Sequence, residues 1–132
     1  MNLESHKRAI EERLRAIDRA VIDGLERNQR NLGFNVSVVV IDMLEVYLHR
    51  EGHLSLSASL NHEWFSSVRR ANEHVVWDFQ RKEKIIGLIV RMEEKRNILV
   101  YGRPQVRKDL EAYLELFNEI KEAFHDLGVL DE

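Results

Sequence analysis

Between residues 105 and 127 the apolar side chains Leu110, Tyr113, Leu114, Phe117, Ile120, Phe124 and Leu127 recur at spacings of three and four, with Tyr113 and Leu114 sharing one step. An α-helix of about 3.6 residues per turn gathers such positions on one face, whereas a strand would scatter them over both. The spacing predicts a helix over Gln105 to Leu127, with Gly128 as its stop. Leu3 to Arg30 reads the same way: Ile10, Leu14, Ile17, Val21 and Leu25 recur at spacings of four and three, and Asn31 to Gly33 offers a terminus.

The segment between them must be read against this background. Phe34 to Arg50 is crowded with β-branched residues, Val36 and Val38 to Ile41, which suit a strand as well as a helix. A lone strand would leave its backbone groups unpaired, and Met43, Leu44, Tyr47 and Leu48 continue a helical period. The segment is therefore expected to be a buried helix, capped by Asn35 and closed by Gly52. His53 to Leu60 is expected to be a loop. Asn61 caps the next helix, which carries Phe65, Val68, Val76 and Phe79 and has a break near Asn72. Arg81 to Val100 forms the next, with Ile85, Leu88, Ile89, Met92 and Leu99 inward, before Gly102 and Pro104 end it.

With one proline and six glycines the chain lacks the turn residues an all-β fold needs at each hairpin. The fold class is therefore all-α, an up-and-down bundle of four or five helices. No repeat or linker divides residues 1–132, so one domain is expected.

Composition removes several function classes. The absence of cysteine excludes disulfides, thiolate nucleophiles and Cys-based metal or iron–sulfur sites. The run Val38 to Ile41 is broken by Asp42, far short of the roughly 20 apolar residues of a membrane span. The charged start shows no secretory pattern, which places the expected protein in the cytoplasm, away from membranes. A net charge of −3 argues against a surface coated for non-specific DNA binding, while leaving room for a local basic site.

Such a site is suggested near residue 100. On a helix Glu93, Asn97 and Tyr101 share one stripe, and Arg96 stands a step to its side. Lys95, Arg96, Arg103, Arg107 and Lys108 make this corner basic, whereas 111–132 holds seven acids against the single base Lys121. A guanidinium fork matches phosphate geometry, and an amide and a hydroxyl beside it suit a ribose or phosphate oxygen, which points to an RNA backbone. Glu93, Lys95, Arg103 and Arg107 are expected as binding residues around Arg96, Asn97 and Tyr101. The simpler reading is that cations near a helix end stabilise its last carbonyls.

The stretch Arg96-Asn97-Ile98-Leu99-Val100-Tyr101-Gly102 also resembles the end of the penultimate core helix in HEPN domains, where Arg, often followed by Asn, precedes a His by four to six residues. The resemblance implies a compact helical bundle, a homodimer that brings two motifs together, and metal-independent endoribonuclease activity. It also implies the toxin role in a toxin-antitoxin pair with a nucleotidyltransferase antitoxin. Carried over, Arg96 would hold the scissile phosphate, Asn97 would orient it, and Tyr101 would lie near the ribose hydroxyl or leaving oxygen. Tyr101 stands where the family has its His, and a phenol holds its proton at neutral pH and is a poor general base. The Tyr that some family toxins carry two places further on, a target for AMP transfer, is Arg103 here. Arg96 and Tyr101 project about 140° apart on an ideal helix, which a frayed terminus or a dimer interface would resolve. The alternative is a catalytically inactive dimeric scaffold or nucleotide-binding module with the same bundle.

Other patterns carry less. Glu122-Ala123-Phe124-His125 has the Glu-x-x-His spacing of di-iron bundles, but it occurs once where two copies are needed, so no metal is expected. No Gly-rich phosphate loop implies a cofactor, and no Ser, His and Asp set stands out. Trp64, Phe65, Trp77 and Phe79 fit packing better than a base-stacking platform.

Overall fold

The structure, a computed structural model, describes residues 3–55 and 58–129. It contains α1 (Leu3–Asp23), α2 (Gln29–Arg50), α3 (Val68–His74), α4 (Lys82–Tyr101) and α5 (Arg107–Asp126), with short 3-10 turns at Glu26–Asn28 and His62–Ser66. Among the described residues there is no strand. The 53–60 connection is irregular where described, and Leu56 and Ser57 of that expected loop lie outside the described residues.

Helix α2 is the axis. Its β-branched run is helical because the rest of the chain wraps it: Val36, Val39, Val40, Met43, Leu44, Val46 and Leu48 are all fully buried. Burial of that much apolar surface outweighs the few tenths of a kcal/mol by which each Val disfavours a helix. The stretch 26–50 is long and apolar enough to cross a membrane on length and composition alone, yet 78% of its apolar window is buried inside the domain. A helix apolar on all sides fits a bundle centre as well as a bilayer.

The contacts of α2 give the directions of the other helices. Arg13 Nη1 donates to Asn35 Oδ1 (3.1 Å) and His6 lies 3.7 Å from Glu45, so α1 and α2 run antiparallel. Gly33 faces Leu99 and Val100, and Ser37 faces Glu93, so α2 and α4 are antiparallel too. Arg81, just ahead of α4, pairs with Asp126 at the far end of α5 (2.9 Å). Tyr113 meets Gly33, and Arg50 meets the carbonyls of Leu127 and Gly128, which makes α2 and α5 parallel. The four long helices alternate in direction, an up-and-down bundle, with short α3 packed beside α4.

Three boundaries differ from expectation. The first helix stops at Asp23, not near Arg30, because Gly24 takes φ 137°, which a side chain would resist. Asn28 Nδ2 then donates to the Gly24 carbonyl (2.8 Å) and reaches the Ala20 carbonyl (3.4 Å), satisfying orphan acceptors at the helix end. Val21, expected inward, is exposed, while Leu25 is buried from within the turn. The second helix starts at Gln29 and runs through Asn31 and Gly33, the expected stop, so Asn35 is an interior residue bonded to Arg13 and not a cap. The third boundary concerns the 61–79 helix, which is divided at Ser67 and not near Asn72. Asn61 caps as expected (Glu63 N–H to Oδ1, 2.8 Å), but Ser67 is extended and its Oγ accepts the Arg70 N–H (3.0 Å), starting α3 afresh. α3 ends at His74, so Val76 and Phe79 lie outside a helix, and Val68 and Val76 are exposed.

Gly33 marks a close approach of α2 to α4. A Cβ there would lie 2.9 Å from Leu99 Cβ and 3.1 Å from Val100 Cγ2, so α2 and α4 touch backbone to side chain at that level. Beside it, Gln29 binds the end of α4: Nε2 donates to the carbonyls of Leu99 and Arg103 (both 3.1 Å), and Oε1 accepts the Gln105 N–H (2.7 Å). The orientation of residues 96–101 is thus set from α2.

Candidate functional site

Halfway along the α2/α4 seam two polar residues occupy core positions. Ser37 is fully buried within the valine run of α2, and Glu93 is buried on α4, one turn after Ile89. A buried carboxylate needs partners, since leaving it bare is far more expensive than leaving an amide bare. Glu93 Oε2 accepts the Ser37 hydroxyl at 2.6 Å and lies 3.1 Å from His62 Nδ1, and Ser37 Oγ is 3.0 Å from the same nitrogen. Three elements therefore meet in one triangle: α2, the turn His62–Ser66, and α4.

The chain places His62 by a relay of local contacts. The Leu60 N–H donates to Glu45 Oε2 (2.7 Å) on α2, Asn61 caps the turn, and Phe65 is fully buried beneath it. His62 itself keeps 35% of its side chain exposed, against 8% for Glu93. Facing an oxygen that already accepts from Ser37, Nδ1 suits the donor role, and in the tautomer that carries its proton on Nδ1 the ring's lone pair lies on Nε2. Among the described residues Nε2 has no hydrogen-bond partner.

His62 and Glu93, two corners of the triangle, line an open cleft of about 210 Å³ together with Glu63, Ser66 and Arg70 on the His62 side and Arg96 and Asn97 on α4, while Ser37 is buried behind them. With Glu93 engaged below, the charges at the mouth are Arg70, Arg96 and Glu63. Arg96 Nη1 donates to Asn97 Oδ1 (3.3 Å), and its Cζ lies 5.9 Å from the centre of the Tyr101 ring. The length of the arginine closes the 140° gap within one chain, so neither a frayed end nor a second subunit is needed to bring the two together. Arg96 Nε is shielded and lacks a hydrogen-bond partner, while Tyr101 is 74% exposed.

The expected residues thus divide. Glu93, Arg96 and Asn97 share the cleft, and Tyr101 stacks beside Arg96 outside its lining. Lys95 lines a different hollow, with Ile98, Asp109 and Tyr113. Arg107 is paired with Glu111 (3.1 Å), and Arg103 is an exposed residue whose carbonyl accepts from Gln29 and Gln105. The aromatic residues considered as a stacking platform are dispersed: Trp64 stacks on His74 at 4.4 Å, Trp77 on His53 at 5.8 Å, and Phe79 packs on Tyr47.

Sequence reasoning missed Ser37 and His62. A signal for the first was present: a small hydroxyl in the middle of an otherwise apolar helix, opposite an acid in core register on α4, implies that the two pair. His62 had only its place beside the Asn61 cap.

The arrangement also excludes one chemistry. Ser, His and Glu in contact invite comparison with a serine-hydrolase triad, but Ser37 is inaccessible and donates its hydroxyl proton to Glu93, with His62 using the same nitrogen toward both. In a working triad the nucleophile and the carboxylate engage opposite ring nitrogens. Comparison of the chain with protein-family models, with curated proteins and with solved structures finds no match in any of the three.

Proposed function

We propose that this protein binds RNA in the cleft between the His62 turn and α4 and cleaves it without metal, as a HEPN-like endoribonuclease. The observation that supports this reading is the shared cleft: Arg96 and Asn97, the two leading residues of the HEPN-like stretch, line the same hollow as a carboxylate-held imidazole. Arg96 and Arg70 supply the fixed positive charge for a phosphodiester, and Asn97 supplies amide hydrogen bonding at its edge. Metal-independent cleavage needs only a positioned phosphate and a proton acceptor near the 2′-hydroxyl. In this reading the protein acts in the cytoplasm as a homodimer, in the manner of a toxin restrained by a nucleotidyltransferase.

The test is incubation of the purified protein with a random pool of single-stranded RNA in a chelator. Wild-type protein binds and cuts; Arg96→Ala reduces binding by about tenfold or more, and Arg96→Lys, which keeps the charge without the planar fork, recovers only part of it. Equal binding by all three proteins would refute the reading.

A second reading, an inactive dimeric or nucleotide-binding module, draws on the apolar corner beside the cleft, where Ile98 (51%), Tyr101 (74%) and Val106 (62%) are exposed. It predicts self-association with no RNA cleavage, and loss of that association in Ile98→Asp.

A further inference from the structure

We infer that His62 is the proton-accepting catalytic group of the cleft, held in place by Glu93 and Ser37, and that its substrate class is RNA carrying a free 2′-hydroxyl. The inference rests on the RNA reading above and assigns the chemistry within it. Tyr101, at the position where the HEPN-like stretch would carry its base, is a phenol, a side-chain type poorly suited to general-base work, and is not among the cleft's lining residues. The site therefore needs its base from elsewhere, and the only imidazole lining the cleft is that of His62.

The geometry around His62 is built for that role. A buried pair that served stability alone would be matched or bettered by apolar residues of similar size. Here a core carboxylate, itself tied by a 2.6 Å bond from Ser37, is aimed at one nitrogen of a ring whose side chain is 35% exposed. In the Nδ1–H tautomer that leaves Nε2 without a protein partner and with a lone pair, in the same cleft as guanidinium groups able to hold a phosphate. Glu93 fixes the tautomer and compensates the positive charge that forms when Nε2 takes a proton. Glu93 and Ser37 are positioning residues; His62 is the group that meets substrate.

The step balances without an outside reactant. Nε2 removes the 2′-hydroxyl proton, the 2′-oxygen forms a bond to the adjacent phosphorus, and the bond from phosphorus to the 5′-oxygen breaks. The leaving 5′-oxygen takes a proton from water in the open cleft, and the hydroxide so formed takes the proton held on Nε2, which restores water and the neutral ring. The products are a 2′,3′-cyclic phosphate and a 5′-hydroxyl.

The deciding variant is His62→Asn, whose amide nitrogen stands near the place of Nδ1 and keeps the bond to Glu93, while nothing remains at the place of Nε2. The full-length protein is assayed on single-stranded RNA in a chelator, with binding and cleavage measured separately. Expected is cyclic-phosphate product from wild type and RNA affinity within about threefold in His62→Asn. Cleavage in that variant falls by about 100-fold or more. His62→Gln is the second variant should Asn disturb the turn, with the same expectation. RNA with a single 2′-deoxy residue at the cut position is bound by wild type and left intact there.

Cleavage by a folded His62 variant within about threefold of wild type, or scission at the 2′-deoxy position, overturns the inference and leaves the RNA reading standing. RNA bound but never cut by wild type overturns the inference together with the cleavage part of the reading above, and leaves RNA binding standing. Neither binding nor cleavage overturns both.

Discussion

Ser37 Oγ lies 2.6 Å from Glu93 Oε2, a hydrogen bond between two antiparallel helices whose neighbouring buried residues are mostly aliphatic. It is the polar contact on which the register of α2 against α4 is most directly legible, because neither group has water to fall back on.

Ser37→Ala removes the donor and leaves the buried carboxylate with His62 as its remaining hydrogen-bond partner. Bonds to charged groups contribute roughly 1.5–3 kcal/mol, so the variant is expected to lose about that much stability. Urea denaturation measures it through a lower midpoint at unchanged slope. A loss below about 0.5 kcal/mol would show that Glu93 is satisfied without the serine.

Gly33→Ala sets two effects against each other. In an open helix Ala is favoured over Gly by about 1 kcal/mol. At this position the new methyl would sit 2.9 Å from Leu99 Cβ, nearer than packed carbons come, and the α2/α4 seam must open to admit it. Overpacking of that kind costs about 1–3 kcal/mol, so the net sign is destabilising. Thermal melting decides the contest, and an increase in Tm would mean the seam gives way freely. Since Leu99 lies three residues beyond Arg96, the same variant is expected to weaken RNA binding.

Asp42 on α2 titrates above the ordinary carboxylate range, first because it is partly buried and second because Glu45 is near, with His6, Arg13 and His62 pulling the other way. Its ionised form is therefore dearer in the folded chain than in the unfolded one. Stability is lost as the pH rises from the unfolded value up through the folded one, and the loss is complete above that. Asp42→Asn lifts this penalty. The variant is expected to melt higher than wild type at neutral pH, with the advantage shrinking as the pH falls toward 3.8. Melting curves at neutral pH and at about pH 3 give the comparison; a gap that widens in acid would reverse the assigned sign.

Much of the architecture was legible in the residues themselves. The 105–127 period maps onto α5 with Leu110, Tyr113, Phe117, Ile120 and Phe124 all buried, and the expected inward face of α4 is buried as well. What local pattern misjudged was punctuation. Gly33 looked like a stop but is there because α4 leaves no room for a side chain, a fact about a residue 66 positions away. Gly24, which does stop α1, was hidden because Val21 and Leu25 kept the rhythm across it. At the site, Arg96 and Asn97 could be singled out because they adjoin in the chain. Ser37, His62 and Glu93 are joined only by folding, since hydrogen bonds between residues so far apart in sequence leave no spacing to read.

Most of helix α2 between Val36 and Leu48 is buried, and the surfaces that cover it arrive late in the chain. A nascent chain emerging from the ribosome would present α2 with only α1 against it until Lys82–Tyr101 had followed. During that interval the face carrying Gly33 and Ser37 would lack the residues it packs on, so this part of the core can close only after most of the chain has been made.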